Sequence, residues 1–228
     1  MANHNLYRIK AIVFDLDDTL YPQISYKRSG FNVVAQWLAS RQNLSQSVIL
    51  SELEDILSLY GPSYPYMFDR LAERFTLGDS SVQEMVRIFI EHEPRIRCYD
   101  GVISMLSRLR RKYRLGILTD GRLAVQERKL SALGLNKNVD KILCSNALGL
   151  EKPAPELFAW FEQQLEMDGQ ALAYVGDNPG KDFYGANTRE WFTVCVMTGE
   201  YRNGNLPSAF KPKSSIASVI ELEKFLIR

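Results

Sequence analysis

Two rhythms of apolar and polar positions divide this chain. The run Ile9-Lys10-Ala11-Ile12-Val13-Phe14-Asp15 is short, β-branched and ends in a carboxylate, the pattern of a strand buried on both faces. Comparable runs recur from Arg114 to Thr119, Lys141 to Ser145, Ala171 to Asp177 and Phe192 to Met197. Helical spacings lie between them, at Val102 to Arg111, Leu123 to Leu133, Pro155 to Glu166 and, more briefly, Gly180 to Thr188. Strands alternating with helices predict an α/β fold, a doubly wound parallel sheet with helices on both faces.

The second rhythm occupies the stretch from Leu20 to about Pro94, where no strand pattern occurs. Phe31, Val34, Trp37 and Leu38 form one helical stripe. Val48, Leu53, Ile56, Leu57 and Tyr60 form a second, and Met85, Val86, Phe89 and Ile90 a third. The segment Gly61-Pro62-Ser63-Tyr64-Pro65 reads as a turn between helices. The expected division is an α/β core domain over 1–20 and 95–228 and an all-helical insert over 21–94. The insert is longer than an ordinary crossover and is expected to form a lid at the end of the first strand. Towards the end, Gly199 to Ser214 reads as a loop. Ser215 to Ile227 reads as a closing amphipathic helix with Val219, Leu222, Phe225 and Leu226 on one side.

Composition narrows the function classes. With 46% hydrophobic and 24% charged residues, the 228-residue chain is of ordinary globular type. Its formal net charge of +1 gives no electrostatic case for nucleic acid. The basic cluster Arg108, Arg110, Arg111, Lys112 and Arg114 reads as a helix end, where cations are favoured. Cys98, Cys144 and Cys195 are widely spaced, and only His4 and His92 offer imidazoles, so zinc and histidine-based triads are poorly supported. The opening Met1-Ala2-Asn3-His4-Asn5 lacks the pattern of a signal peptide, and no apolar run has membrane-spanning length. The expectation is a cytoplasmic protein without nucleic-acid or membrane partners; its oligomeric state is not legible.

In an open parallel sheet, ligands bind beyond the carboxyl ends of the strands. The first strand ends in Asp15, with Asp17 next, and the second in Thr119-Asp120-Gly121. Lys152-Pro153 follows the third, and the fourth ends in Gly176-Asp177-Asn178, with Asp182 beyond. These groups suit phosphoryl transfer. Asp15 is the candidate nucleophile, a carboxylate able to hold a phosphoryl group as an acyl phosphate. Asp17 is the candidate acid–base group, and its surroundings are expected to favour the protonated form at the start. Mg²⁺ is the expected cofactor, with Asp15 and Asp177 as ligands and Asp182 as a further or outer one. Thr119, Lys152, Asp120 and Gly121 are expected to bind the phosphate, Thr119 and Lys152 through its non-bridging oxygens.

The run Asp15-Leu16-Asp17-Asp18-Thr19-Leu20, then Thr119, Lys152-Pro153, and Gly176-Asp177 with Asp182, resembles the four motifs of the haloacid dehalogenase superfamily, in order. The resemblance implies a Rossmann-like core, an inserted helical cap, Mg²⁺ dependence and an aspartyl-phosphate intermediate, with the Asp17 carbonyl as a further metal ligand. This chain departs from the pattern in having Asp120 where Asn usually follows the hydroxyl residue, which puts a negative side chain near the phosphate site. The reading is a phosphomonoester hydrolase acting on a small phosphorylated metabolite, a sugar phosphate or nucleoside monophosphate. A phosphomutase or dehalogenase on the same scaffold, or a non-catalytic binding module, are the alternatives. Asp17 argues against the dehalogenase, and the retained acids argue against the non-catalytic module.

Overall fold

The computed structural model describes residues 6–199 and 206–226. The opening five residues, with His4, lie outside them, as do 200–205 of the expected loop and the end of the expected last helix. The chain divides into two compact units, Met1–Pro22 with Arg97–Arg228, and Gln23–Ile96.

The first unit opens with β1 (Ala11–Phe14), four fully buried residues at the centre of the sheet. It continues with α5 (Val102–Leu109), β2 (Arg114–Thr119), α6 (Leu123–Ala132), β3 (Lys141–Cys144) and α7 (Pro155–Leu165). Next come β4 (Leu172–Gly176), α8 (Pro179–Asp182), α9 (Tyr184–Thr188), β5 (Phe192–Val196), β6 (Ser214–Ile216) and α10 (Leu222–Leu226). Among the described residues six strands pair in the order β3-β2-β1-β4-β5-β6, every pair parallel. The order reverses at β1, which makes its carboxyl end the topological switch point. The continuous apolar character of β1, β4 and β5 follows from burial on both sides. On one face Val13 and Leu118 pack with Phe158, Phe161, Phe183 and Trp191. The one polar atom of that indole is satisfied: Trp191 Nε1 donates to Glu162 Oε1 at 2.8 Å.

The insert contains α1 (Gln23–Ala39), α2 (Gln46–Tyr60), α3 (Met67–Phe75) and α4 (Asp79–Glu91). Their shared core includes Phe31, Val34, Leu38, Leu53, Leu71 and Met85. A cap begins α2, where Ser45 Oγ accepts from the Val48 N–H.

Several expected elements need correction. The stripes in the insert predict three helices; α3 is a fourth, too short to stand out beside the aromatic and proline residues before it. In α2 the buried residue is Ile49, whereas Val48 is half exposed, and in α4 only Met85 is fully buried. The single helix expected over Gly180 to Thr188 is two short ones, α8 and α9. The expected closing helix shrinks to α10, because Ser214–Ile216 adds an edge strand to β5 and a 3-10 turn follows. Three members of the basic cluster, all about half exposed, also form ion pairs: Arg108 meets Glu223, and Arg110 and Arg114 meet Asp140. No helix among the described residues is long and apolar enough to cross a membrane.

Candidate active site

Strand ends deliver the acidic residues. The Asp15 N–H donates to the Val175 carbonyl at 2.8 Å, so this residue continues the register of β1 against β4 for one step past the strand. Asp177 follows β4 directly, and Asp182 ends α8. All three are buried, and one carboxylate oxygen of each lies within 4.8 Å of the others. Lys152, after β3, reaches the same cluster: its Nζ lies 2.5 Å from Asp15 Oδ1 and 2.8 Å from Asp182 Oδ1. Tyr174 points inward from β4; its hydroxyl accepts from Lys152 and donates to Asp182 Oδ1 at 3.2 Å. Asp182 Oδ2 accepts the Asn178 N–H at 2.8 Å, which fixes the carboxylate from its other side. Thr19 Oγ1 lies 3.2 Å from Asp177 Oδ1 and 3.5 Å from Asp15 Oδ2.

Electrostatics here are those of a site short of positive charge. Burial pushes Asp15 up to about 7 against the pull of Lys152, with Asp182 adding to the rise. Burial and the neighbouring Asp15 and Asp182 push Asp177 up to about 9. Burial disfavours the Lys152 ammonium, but Asp15 and Asp182 outweigh it and hold it well above the ordinary lysine value. With one ammonium among three buried carboxyl groups, ionising all three leaves excess negative charge. An all-oxygen donor set with that excess fits a hard divalent cation such as Mg²⁺. Asp15 and Asp177 have the oxygens to hold it. Asp182 is already engaged on both oxygens, which suits an outer role.

The second-motif residues separate into two kinds. Thr119, at the end of β2, is fully buried, and its Oγ1 has no hydrogen-bond partner among the described residues. A buried hydroxyl in that state is costly unless something comes to it. Asp120 is occupied: its Oδ1 accepts the Lys152 N–H at 3.1 Å and its Oδ2 accepts Lys181 Nζ at 3.2 Å. Burial opposes its charge, but Lys152 and the other donors hold it below the ordinary carboxylate value. Its side chain therefore braces the Lys152 loop. Gly121 follows at φ 125°, a conformation that favours glycine.

Asp17 differs from its expected surroundings. Both its oxygens are held by Lys129 Nζ, at 2.7 and 3.0 Å, and the Tyr21 hydroxyl donates to Oδ1. The group stands in an ion pair with a buried lysine, where the sequence reading expects surroundings that favour the protonated acid. Sequence reasoning missed Lys129, Lys181, Tyr174, Thr19 and Gln126. Tyr174 carried a signal, since a tyrosine within a fully buried strand needs a partner for its hydroxyl.

The sequence model of the family described as haloacid dehalogenase-like hydrolase matches residues 12–196. The chain belongs to this family. It is similar to a glyceraldehyde 3-phosphate phosphatase of Methanopyrus kandleri, 30% identical over 202 residues and covering 86% of this chain and 87% of that one. It is also similar to the human N-acylneuraminate-9-phosphatase, 26% identical over 97% of this chain and 95% of that protein. Among solved structures, the magnesium-bound HAD-hydrolase YfnB from Bacillus subtilis superposes with a TM-score of 0.70. That likeness covers 96% of this chain and 99% of the other at 19% identity, and so speaks to the fold.

Proposed function

We propose that this haloacid dehalogenase-like hydrolase is a Mg²⁺-dependent phosphomonoesterase working through a phosphorylated Asp15. The observation that carries the reading is the meeting of buried Asp15, Asp177 and Asp182 with Lys152, with the buried Thr119 hydroxyl at the end of the neighbouring strand β2 lacking a hydrogen-bond partner among the described residues. The phosphatase names of its relatives support the same reaction.

An Asp15 oxygen attacks phosphorus, the bond to the leaving oxygen breaks, and its electron pair departs with that oxygen. Asp17, which enters this step carrying a proton on one oxygen while the other is held by Lys129, gives the leaving oxygen that proton. Water then attacks phosphorus, the Asp17 carboxylate takes a proton from it, and the bond from phosphorus to Asp15 breaks, releasing phosphate and restoring the nucleophile. Thr119 Oγ1 and Lys152 Nζ bind the non-bridging oxygens, with Lys152 turning from Asp15 towards them. Asp15, Asp177 and the Asp17 carbonyl would hold the metal, with Asp182 behind them. When bound, Mg²⁺ offsets the repulsion between an anionic nucleophile and an anionic phosphate.

The substrate is a small phosphorylated metabolite. Relatives named for a triose phosphate and for a sialic acid phosphate favour a sugar-type phosphate. The helical insert follows β1 in the chain and spans Gln23–Ile96. Free thiols at Cys98, Cys144 and Cys195 fit a cytoplasmic setting. The test is a phosphate-release panel of sugar phosphates, nucleotides and phosphopeptides, with and without Mg²⁺. Turnover of a small sugar-type phosphate, abolished by EDTA and restored by Mg²⁺, is expected. Chelator-resistant turnover, or a preference for phosphopeptides, would contradict the reading.

A further inference from the structure

Helix α6 buries two polar side chains where its neighbours bury hydrocarbon. It turns Gln126, Lys129 and Leu130 inward, and Gln126 and Lys129 are each 4% exposed. A buried amide and a buried ammonium are destabilising unless bonded; the Gln126 Oε1 has no hydrogen-bond partner among the described residues, whereas the two nitrogens do. Gln126 Nε2 donates to the Asp120 carbonyl at 2.5 Å. Lys129 Nζ, one turn further on, donates to both oxygens of Asp17. One turn of helix thus grips the loop after β1 and the loop after β2. Lys152 serves Asp15 and Asp182, so the two buried lysines have separate carboxylates.

We propose that Lys129 is the positioning residue of Asp17. Its ammonium, with the Tyr21 hydroxyl, fixes the Asp17 carboxyl where it meets the leaving oxygen and then the attacking water. The inference rests on the acid–base reading of Asp17 given above. An aspartate side chain has three staggered wells at χ1, and a buried two-oxygen contact selects one of them. A protonated carboxyl still accepts through its carbonyl oxygen, so the tether persists in both halves of the cycle. Loss of the tether therefore slows proton transfer and leaves attack by Asp15 largely untouched.

The experiment compares kcat/KM, which reports formation of phosphorylated Asp15 and not its later hydrolysis, for Lys129→Met, Lys129→Arg, Tyr21→Phe and Asp17→Asn on an aryl and an alkyl phosphate at saturating Mg²⁺. An aryl oxide leaves without help, whereas an alkoxide needs a proton. Lys129→Met is expected to lose about tenfold or more in kcat/KM on the alkyl ester, with kcat/KM on the aryl ester little changed. Lys129→Arg should recover part of that loss, and Tyr21→Phe should show the same pattern more weakly. Equal loss on both esters, or unchanged turnover on both, overturns the proposal. If Lys129→Met does not fold, Lys129→Arg and Tyr21→Phe decide it, and absence of leaving-group dependence in both overturns it. Asp17→Asn separates the two levels. If it shows the dependence and the Lys129 variants do not, only the positioning role fails; if it lacks the dependence, the acid–base reading falls and takes the proposal with it.

Discussion

Asp120 and Lys181 show how one residue changes the task of its neighbour. The carboxylate of Asp120 sits beside the proposed phosphate position, and Lys181 supplies the charge that offsets it. Lys181 is about half exposed, so water screens the pair and its effect is modest. Lys181→Met is expected to raise KM for phosphate esters about two- to fivefold. In an Asp120→Asn background the same substitution should do little, and steady-state kinetics of the four proteins measure the difference. An equal effect in both backgrounds would mean that Lys181 binds substrate directly. At this scale the sequence revealed the acids, because Asp15, Asp17, Asp177 and Asp182 stand at fixed places after apolar runs. The lysines were hidden, since Lys129 and Lys181 lie inside helices, where a cation ordinarily faces water. Only the tertiary arrangement shows Lys129 buried against a residue 112 positions away.

At the scale of elements, the site depends on how closely β4 approaches α8. A Cβ on Gly176 would lie 2.3 Å from Asp182 Oδ2, so the strand end has no room for any side chain. Gly176→Ala must push Asp182 and loosen its hold on Lys152. An about tenfold or greater loss of Mg²⁺ affinity is expected, as for outer-sphere partners of metal sites, and isothermal titration would measure it. Unchanged affinity would show that Asp182 plays no part in holding the metal. The central strands were legible because burial on both faces leaves an uninterrupted β-branched run. Strand β6 was not, because at the sheet edge only Ile216 is buried. In the insert, helical periodicity reveals amphipathic stripes: Leu53, Ile56 and Leu57 of the α2 stripe are buried, whereas Val48 and Tyr60 at its ends are exposed and Ile49 is buried beside Val48.

For the whole molecule, stability and metal binding are linked through the same carboxylates. Asp15 and Asp177 have values raised in the folded state, to about 7 and about 9, above the ordinary aspartate value. A raised acid favours folding fully below its unfolded value, and that contribution is lost as pH rises through the folded value. The metal-free protein is therefore expected to lose stability between about pH 4 and pH 9. Mg²⁺ binds the ionised carboxylates and counteracts the loss. Thermal unfolding should show a larger Mg²⁺-induced rise in Tm at about pH 8 than at about pH 5; an equal rise at both would contradict the link. The central claim, that Asp15 becomes phosphorylated, is tested most directly by quenching the protein during turnover of a phosphate-labelled substrate with Mg²⁺. A base-labile phosphoryl label is expected on the peptide carrying Asp15, with neither label nor turnover in Asp15→Asn. Turnover without label, with Asp15→Asn retaining most of its activity, would contradict it.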